Sequence, residues 1–96
     1  MPKFQTLPYF ARKGADIPRT ELFINLKNLY LQQSGLNNQN LAEQMEISPQ
    51  YLSMWCNPKN NRNPPLWAIM RLCVWLDCYI MITGDKVTIE QVERDF

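Results

Sequence analysis

Apolar residues recur at helical spacing in several stretches of the chain. The first stretch predicts a helix from about residue 20 to residue 34, with Thr20 as a suitable N-cap. Gly35, directly after the last turn, is typical of a helix C-terminus. Phe23 falls off the apolar stripe and could hold the segment that precedes the helix. The stripe itself, which predicts the core face, consists of Leu22, Leu26, Leu29 and Tyr30.

The next two stretches are short and follow each other closely. Asn37 precedes an apolar-periodic run and suits an N-cap, which predicts a helix over about residues 38–45. Ser48 can cap another helix over about residues 49–57, and the proline that follows it is tolerated at the first helical position. Because only residues 46–48 separate the two helices, the second must cross the first steeply.

A further helix, over about residues 65–77, is apolar nearly all round. Trp67, Val74 and Trp75 lie off its main stripe, so this helix must be buried on more than one face. In so small a domain, a second subunit is the expected cover. The main stripe consists of Leu66, Ile69, Met70, Cys73 and Leu76.

The last apolar segment can form a hairpin or a strand followed by a helix. Alternating apolar residues on both sides of Gly84-Asp85 favour the hairpin, with these two residues as its loop. The alternative helix is suggested by residues 88–91, which have the form of a capping box. An isolated hairpin is marginal in water, so the segment must pack on the body or pair across a dimer. The hairpin register opposes Ile82 to Val87 and Ile80 to Ile89.

The first 18 residues contain three prolines and a glycine, which predicts an arm without long regular structure. The arm could cover the domain, exchange with a partner subunit or reach into a DNA groove. Its large apolar residues, Phe4, Leu7, Tyr9 and Phe10, give it side chains to bury, which favours packing.

Composition excludes several classes of protein. At 96 residues and 46% apolar residues, the chain predicts one domain with a modest core. No apolar run is long enough for a membrane span or a signal peptide, so we expect a cytoplasmic protein. The chain has no histidine, and its three cysteines form no CxxC pair, so neither an enzyme nor a metal or cofactor site is expected.

The charges are distributed unevenly, although the net charge is only +1. Residues 48–76 carry Lys59, Arg62 and Arg71 with no acidic residue. Residues 77–96 carry five acidic residues against two basic ones. The third predicted helix and the loop after it therefore form a positive segment that could meet phosphates.

Residues 37–57 resemble the helix-turn-helix of the Cro/repressor-like (Xre-type) DNA-binding family, and the resemblance extends over about residues 22–78. Leu41-Ala42 stands at the family's Leu-Ala pair. The chain departs from the family at Glu46 and Pro58, where glycine is usual. The family's turn implies a positive φ at Glu46. A helical hairpin that only packs is the alternative. Further matches are Ile47 and Ser48 in the turn and Leu52 and Trp55 at buried helix positions.

The resemblance implies a mainly α fold, a four- to five-helix lambda-repressor-like domain with a short C-terminal β segment. Residues 19–78 would form the DNA-binding domain, residues 1–18 the N-terminal arm and residues 79–96 a β segment used in dimerisation.

The function implied is that of a dimeric, sequence-specific transcriptional repressor that binds double-stranded DNA. Gln50 is the best candidate for contacting a base, because its amide can form two hydrogen bonds with adenine. The residues implied to contact bases are Pro49, Gln50, Ser53 and Met54. Those implied to contact phosphates are Asn38, Tyr51, Asn57, Lys59, Asn60 and Arg62. Those expected at the dimer interface are Trp67, Trp75, Tyr79, Ile80, Met81 and Ile82.

Two biological contexts fit this layout. One is a phage or prophage repressor, and the other is the DNA-binding antitoxin of a toxin–antitoxin operon, which would add a toxin protein as partner. Either would act in the cytoplasm, on the nucleoid. A protein-interaction module that keeps the fold without binding DNA is the alternative function, because the net charge is small and Glu46 replaces the turn glycine.

Overall fold

A computed structural model describes residues 3–8, 17–59, 63–84 and 86–92. Within these residues the fold is mainly helical, with one antiparallel sheet. The helices are α1 (Arg19–Ser34), α2 (Asn38–Met45), α3 (Pro49–Trp55) and α4 (Leu66–Leu76). The strands are β1 (Lys3–Pro8), β2 (Cys78–Thr83) and β3 (Lys86–Gln91). In the part of the chain that is described, no helix has both the length and the apolar character needed to cross a membrane.

The C-terminus of α1 and the N-termini of α2 and α3 follow the predicted capping pattern. Gly35 adopts a left-handed conformation with φ 74°, and its N–H donates to the Leu31 carbonyl at 2.9 Å. The Asn37 side chain accepts the Asn40 N–H at 2.8 Å, and the Asn40 side chain accepts the Asn37 N–H at 3.3 Å. Ser48 Oγ accepts the Tyr51 N–H at 3.3 Å. The predictions at Gly35, Asn37 and Ser48 are therefore confirmed.

The start of α1 corrects the prediction made for Thr20. Pro18 occupies the N-cap position, and no side chain caps the helix there. Thr20 is buried in the first turn, and its hydroxyl donates to Asn63 Oδ1 at 3.2 Å. The hydroxyl that could have capped α1 thus binds the segment before α4. Phe23 is also fully buried, because α1 is covered on more sides than one stripe predicts.

The buried face of α4 differs from its predicted stripe. Leu66 and Met70 are 58% and 64% exposed, whereas Ala68 and Leu72 are fully buried. Helix α4 packs against α1, and its buried residues join the core that these helices share. The core consists of Leu22, Phe23, Leu26, Leu41, Ala42, Met45, Leu52, Trp55, Ala68, Ile69, Leu72, Leu76, Cys78, Val87 and Ile89.

Strands β2 and β3 form the predicted hairpin, with Ile80 opposite Ile89 and Ile82 opposite Val87. The alternative helix over residues 88–91 is wrong, because β3 continues to Gln91 and buries both Val87 and Ile89. The second loop residue, Asp85, lies outside the described residues.

The prediction of an N-terminal arm without regular structure is wrong for residues 3–8. These residues form β1, which pairs antiparallel with β3 and gives the sheet the order β1-β3-β2. Strand β3 would otherwise leave one edge of N–H and C=O groups unpaired. Pro8 is the last residue of an edge strand, where a proline is tolerated. The first residues of the chain and the C-terminal hairpin therefore share one sheet.

Candidate functional site

The connection between α2 and α3 is a tight turn with a left-handed residue at Glu46, where φ is 59° and ψ is 41°. The Glu46 N–H donates to the Glu43 carbonyl at 3.0 Å, and the Ile47 N–H donates to the Ala42 carbonyl at 3.0 Å. These two hydrogen bonds form a Schellman motif, which satisfies the last carbonyls of α2. The positive φ expected at Glu46 is confirmed, although glycine is the residue that adopts it without strain.

Helix α3 turns one side to the core and the other to solvent. Leu52 and Trp55 are buried, as predicted. The candidate residues Pro49, Gln50 and Ser53 are exposed, and Met54 is half-buried. We call these four residues the outer face of α3. The packing leaves a Gln amide and a Ser hydroxyl available to a ligand.

Three predicted site residues meet in one cleft of about 210 Å³ between α1, α2 and α3. These are Asn38, Pro49 and Ser53, and they are joined by Lys27. Lys27 is half-buried on α1 and was not predicted as a site residue. It lies four residues after Phe23, which faces α3, so it falls on the same side of α1. The helical spacing would have identified Lys27 had Phe23 been assigned to the core.

The Cys56 thiol is the other group with an ionisable side chain in this cleft. Burial raises the pKa of the Cys56 thiol. The nearby Lys27 ammonium lowers this pKa, but by less than burial raises it. Cys56 therefore stays protonated near neutral pH, and the positive charge of Lys27 is not cancelled by a thiolate.

The segment after α3 is held at both of its described ends. Asn57 Oδ1 accepts the Lys59 N–H at 3.0 Å. This bond orients the amide, whose NH₂ group could donate to a phosphate. Lys59 is exposed. At the other end Pro64 is buried and Asn63 binds Thr20. The predicted phosphate contacts Asn60 and Arg62 lie outside the described residues.

Aromatic rings connect α3 with the helices behind it. The Trp55 ring packs edge-on against Phe23, with centroids 5.6 Å apart, and against Trp67 at 5.7 Å. Tyr51, a predicted phosphate contact, is exposed, and the centroid of its ring lies 6.4 Å from that of Trp55. The Arg71 guanidinium lies over the Trp67 ring at 5.6 Å, a cation–π contact. The position of α3 is thus set by α1 and α4 together.

A second surface is formed by the outward side of α4 and by β2. Leu66, Met70 and Val74 recur every four residues along α4, and Val74 is 75% exposed. We call these three residues the outer stripe of α4. A cleft of about 380 Å³ lies on one side of it, against Trp67 and Trp75. Another, of about 330 Å³, lies on the other side, toward β2. Because both clefts include Met70 and Val74, the surface is continuous.

The predicted dimer residues lie on this second surface with different exposures. Tyr79, Met81 and Ile82 are exposed, and Ile80 is half-buried. Trp67 is 43% exposed, and the rest of its surface is covered in part by the Trp55 ring. Trp75 is half-buried and stacks on Tyr30 with centroids 5.3 Å apart. The two tryptophans therefore belong partly to the core, and the aliphatic residues Met70 and Val74 are the more exposed members.

Strand β2 is an edge strand, since its neighbour on one side is β3 and the described residues place no strand on the other. From Cys78 to Thr83 it carries no charge and no proline, the two common features that prevent edge-to-edge pairing. Tyr79 is bonded within the sheet, where its hydroxyl donates to Glu90 Oε2 at 3.0 Å. We call β2 together with the outer stripe of α4 the α4–β2 surface.

The described residues contain no group of three or more His, Cys, Asp or Glu side chains arranged to hold a metal ion. Comparisons with protein-family models, curated proteins and solved structures gave no significant match.

Proposed function

We propose that this chain is a dimeric transcription regulator, acting as a repressor, that binds double-stranded DNA in a sequence-specific way. In this proposal α2, the turn at Glu46 and α3 act as a helix-turn-helix, and α3 enters the major groove. The observation that supports it most is the arrangement of α3, whose Leu52 and Trp55 are buried while Gln50 and Ser53 are exposed. Polar side chains on a helix that is fixed from behind suit contacts with base edges.

The proposed roles follow from the positions of the side chains. Gln50 would hydrogen-bond a base, and Ser53 would contact a neighbouring base or phosphate. Asn38 and Lys27 line the cleft beside Ser53, and Lys59 lies exposed in the segment after α3, so these three would bind the DNA backbone. Phosphate contacts of this kind supply affinity and register, whereas Gln50 supplies discrimination.

The proposed dimer forms through the α4–β2 surface, with a second copy of the chain as its occupant. Two β2 strands related by a two-fold axis can pair antiparallel, because the strand is uncharged and presents similar apolar residues in both directions. Strand pairing of this kind would place the two outer stripes of α4 on the same side of an extended sheet, where they can bury each other. Two-fold symmetry then predicts half-sites about one helical turn apart on the DNA.

The proposed place of action is the cytoplasm, on nucleoid DNA. A phage or prophage repressor needs the homodimer alone. An antitoxin would also bind a toxin protein, and sequencing the genes on either side would distinguish these contexts.

The test is a selection of binding sites from random double-stranded DNA, followed by salt titrations of variants on the selected and on scrambled DNA. Gln50→Ala should lose about 1–3 kcal/mol on the selected site and much less on scrambled DNA. Lys59→Ala should weaken both kinds of binding together and make the salt dependence shallower, because a phosphate contact acts through counterion release.

Gln33→Ala is the matched control, because Gln33 is an exposed glutamine on α1, away from the cleft lined by Asn38 and Ser53. It should bind both DNAs as the unaltered protein does. Equal site preference in Gln50→Ala and Gln33→Ala would exclude base contacts through Gln50. If the unaltered protein selected no sequence and bound no DNA, a protein-interaction module would replace this proposal.

A further inference from the structure

Two of the three cysteines are brought together where α4 ends and β2 begins. Asp77 adopts a left-handed conformation with φ 56° and ψ 51°, and its N–H points to the carbonyls of Cys73 and Val74. In helix endings of this type, the side chain just after the left-handed residue frequently contacts the one four positions before that residue. Cys78 and Cys73 occupy these two positions, and both side chains line the same cleft, close enough for the thiols to interact.

The two thiols differ in access to solvent. Cys73 is half-buried and Cys78 is 8% exposed, and both line the cleft of about 330 Å³ between α4 and β2. A solute that enters this cleft therefore meets Cys73 first. Cys56 belongs to a different cleft, on the α3 side of the molecule.

The thiols also differ in acidity. The hydrogen bond from the Cys78 thiol lowers the pKa of Cys73, against a smaller opposing effect of burial. The same hydrogen bond raises the pKa of Cys78, as do burial and the negative charges of Cys73 and Asp77. Cys73 is thus the more nucleophilic sulfur, and Cys78 is a resolving thiol beside it.

We propose that Cys73 and Cys78 form a reversible modification site, a dithiol that is oxidised to an intramolecular disulfide by low-molecular-weight disulfides such as oxidised glutathione. This inference does not depend on DNA binding. Because both cysteines line one cleft at the end of α4, the disulfide would close by movement of these two side chains toward each other.

The reaction has two exchange steps. The Cys73 thiolate attacks one sulfur of oxidised glutathione, forms a mixed disulfide and expels a glutathione thiolate, which takes up a proton. Cys78 then loses its proton to solvent and attacks the Cys73 sulfur, which expels the second glutathione thiolate. Two protein thiols are oxidised to one disulfide, and one oxidised glutathione is reduced to two thiols.

The experiment uses the full-length chain, unaltered and as Cys56→Ser, equilibrated in buffers with different ratios of reduced to oxidised glutathione. Remaining thiols are trapped by alkylation, and the products are identified by intact mass and peptide mapping. We expect both proteins to lose two thiols per chain, to become lighter by two hydrogen atoms and to be restored by reductant. Under denaturing, non-reducing conditions the oxidised protein should keep the mass of a single chain.

Two variants separate the roles of the sulfurs. Cys78→Ser should stop at the mixed disulfide, with glutathione on Cys73. Cys73→Ser should react at Cys78 at least about tenfold more slowly than Cys73 reacts in the unaltered protein, because Cys78 is buried and more weakly acidic. Circular dichroism checks that both variants are folded, and the peptide map of the unaltered protein gives an answer without them.

Three results would overturn the proposal. One is accumulation of glutathione on Cys73 in the unaltered protein with Cys78 left as a thiol. Another is a disulfide that joins two chains. The third is oxidation of Cys56 at the same rate as Cys73, which would mean that the contact with Cys78 confers no reactivity.

Discussion

The α2–α3 unit and the α4–β2 surface differ in how their polar and apolar groups are satisfied. Side chains cap both helices of the α2–α3 unit, at Asn37 and at Ser48, and the side facing solvent is polar. Helix α4 has no side-chain cap at its N-terminus, and it turns Met70 and Val74 to solvent beside the edge of β2 on which the described residues place no strand. The first region presents hydrogen-bonding groups that suit a polar ligand. The second presents exposed apolar side chains, whose burial would stabilise a complex with an apolar partner surface. In the proposed function, the first region binds DNA and the second binds another copy of the chain.

The two regions are joined by Trp55, so the largest expected effect is its removal. Trp55→Ala deletes the contacts with both Phe23 and Trp67, and we expect the free energy of unfolding to fall by about 3–5 kcal/mol. Denaturant unfolding measures this loss. Tyr51→Ala is the matched control on the same helix, because that ring is exposed, and it should cost much less. Equal losses would mean that Trp55 does not connect α3 to the body.

The apolar region is tested by adding a charge at its most exposed position. Val74→Glu should raise the dimer dissociation constant by about 100-fold or more, because each copy loses about 1.5–3 kcal/mol of side-chain burial and gains a buried charge. Sedimentation measures the change, and the folded monomer should keep its melting temperature. Gln33→Glu adds the same charge on exposed α1 and should leave the dimer intact. A well-folded monomer of the unaltered chain at high concentration would exclude the proposed interface.

The polar region depends on its caps. Ser48→Ala removes the acceptor for the Tyr51 N–H and should lower the free energy of unfolding by about 1 kcal/mol. Ser53→Ala makes the same substitution inside α3 at an exposed position, where alanine is at least as favourable as serine. Thermal unfolding compares the two variants. Equal melting temperatures would mean that the Ser48 side chain does not stabilise α3 as a cap.

The smallest effect is expected at the turn itself. Glu46→Gly should be neutral or stabilise the fold by up to about 1 kcal/mol, because glycine adopts the left-handed conformation without strain. Glu43→Gly, in the right-handed body of α2, should instead destabilise it by about 0.5–1 kcal/mol. A lower melting temperature for Glu46→Gly would contradict the strain assigned to this residue.

The sequence predicts helix caps, hairpin register and buried helix positions correctly where these depend on residues close together in the chain. The caps at Asn37 and Ser48 each depend on a hydrogen bond to a residue three positions away. The register of Ile80 with Ile89 follows from the turn that joins β2 and β3. The inward positions of Leu52 and Trp55 follow from helical spacing.

Contacts between distant segments were not predictable in the same way. Thr20 was assigned to a cap, but its hydroxyl binds Asn63, which is far away in the sequence. The position of Lys27 in the cleft follows from Phe23 facing α3, which no local pattern indicates. Strand β1 was missed because its partner is near the other end of the chain. Binding to DNA and dimerisation remain predictions.

The order β1-β3-β2 has a consequence for how the chain is synthesised. Strand β1 leaves the ribosome early, yet its only described pairing partner, β3, is translated after all four described helices. Among the described elements, the helices have their main contacts with one another, with β1 and with β2. They can therefore pack before β3 is available to pair with β1. The sheet is completed only once β3 has been made. In the proposed dimer, pairing through the β2 edge would therefore follow the synthesis of both chains.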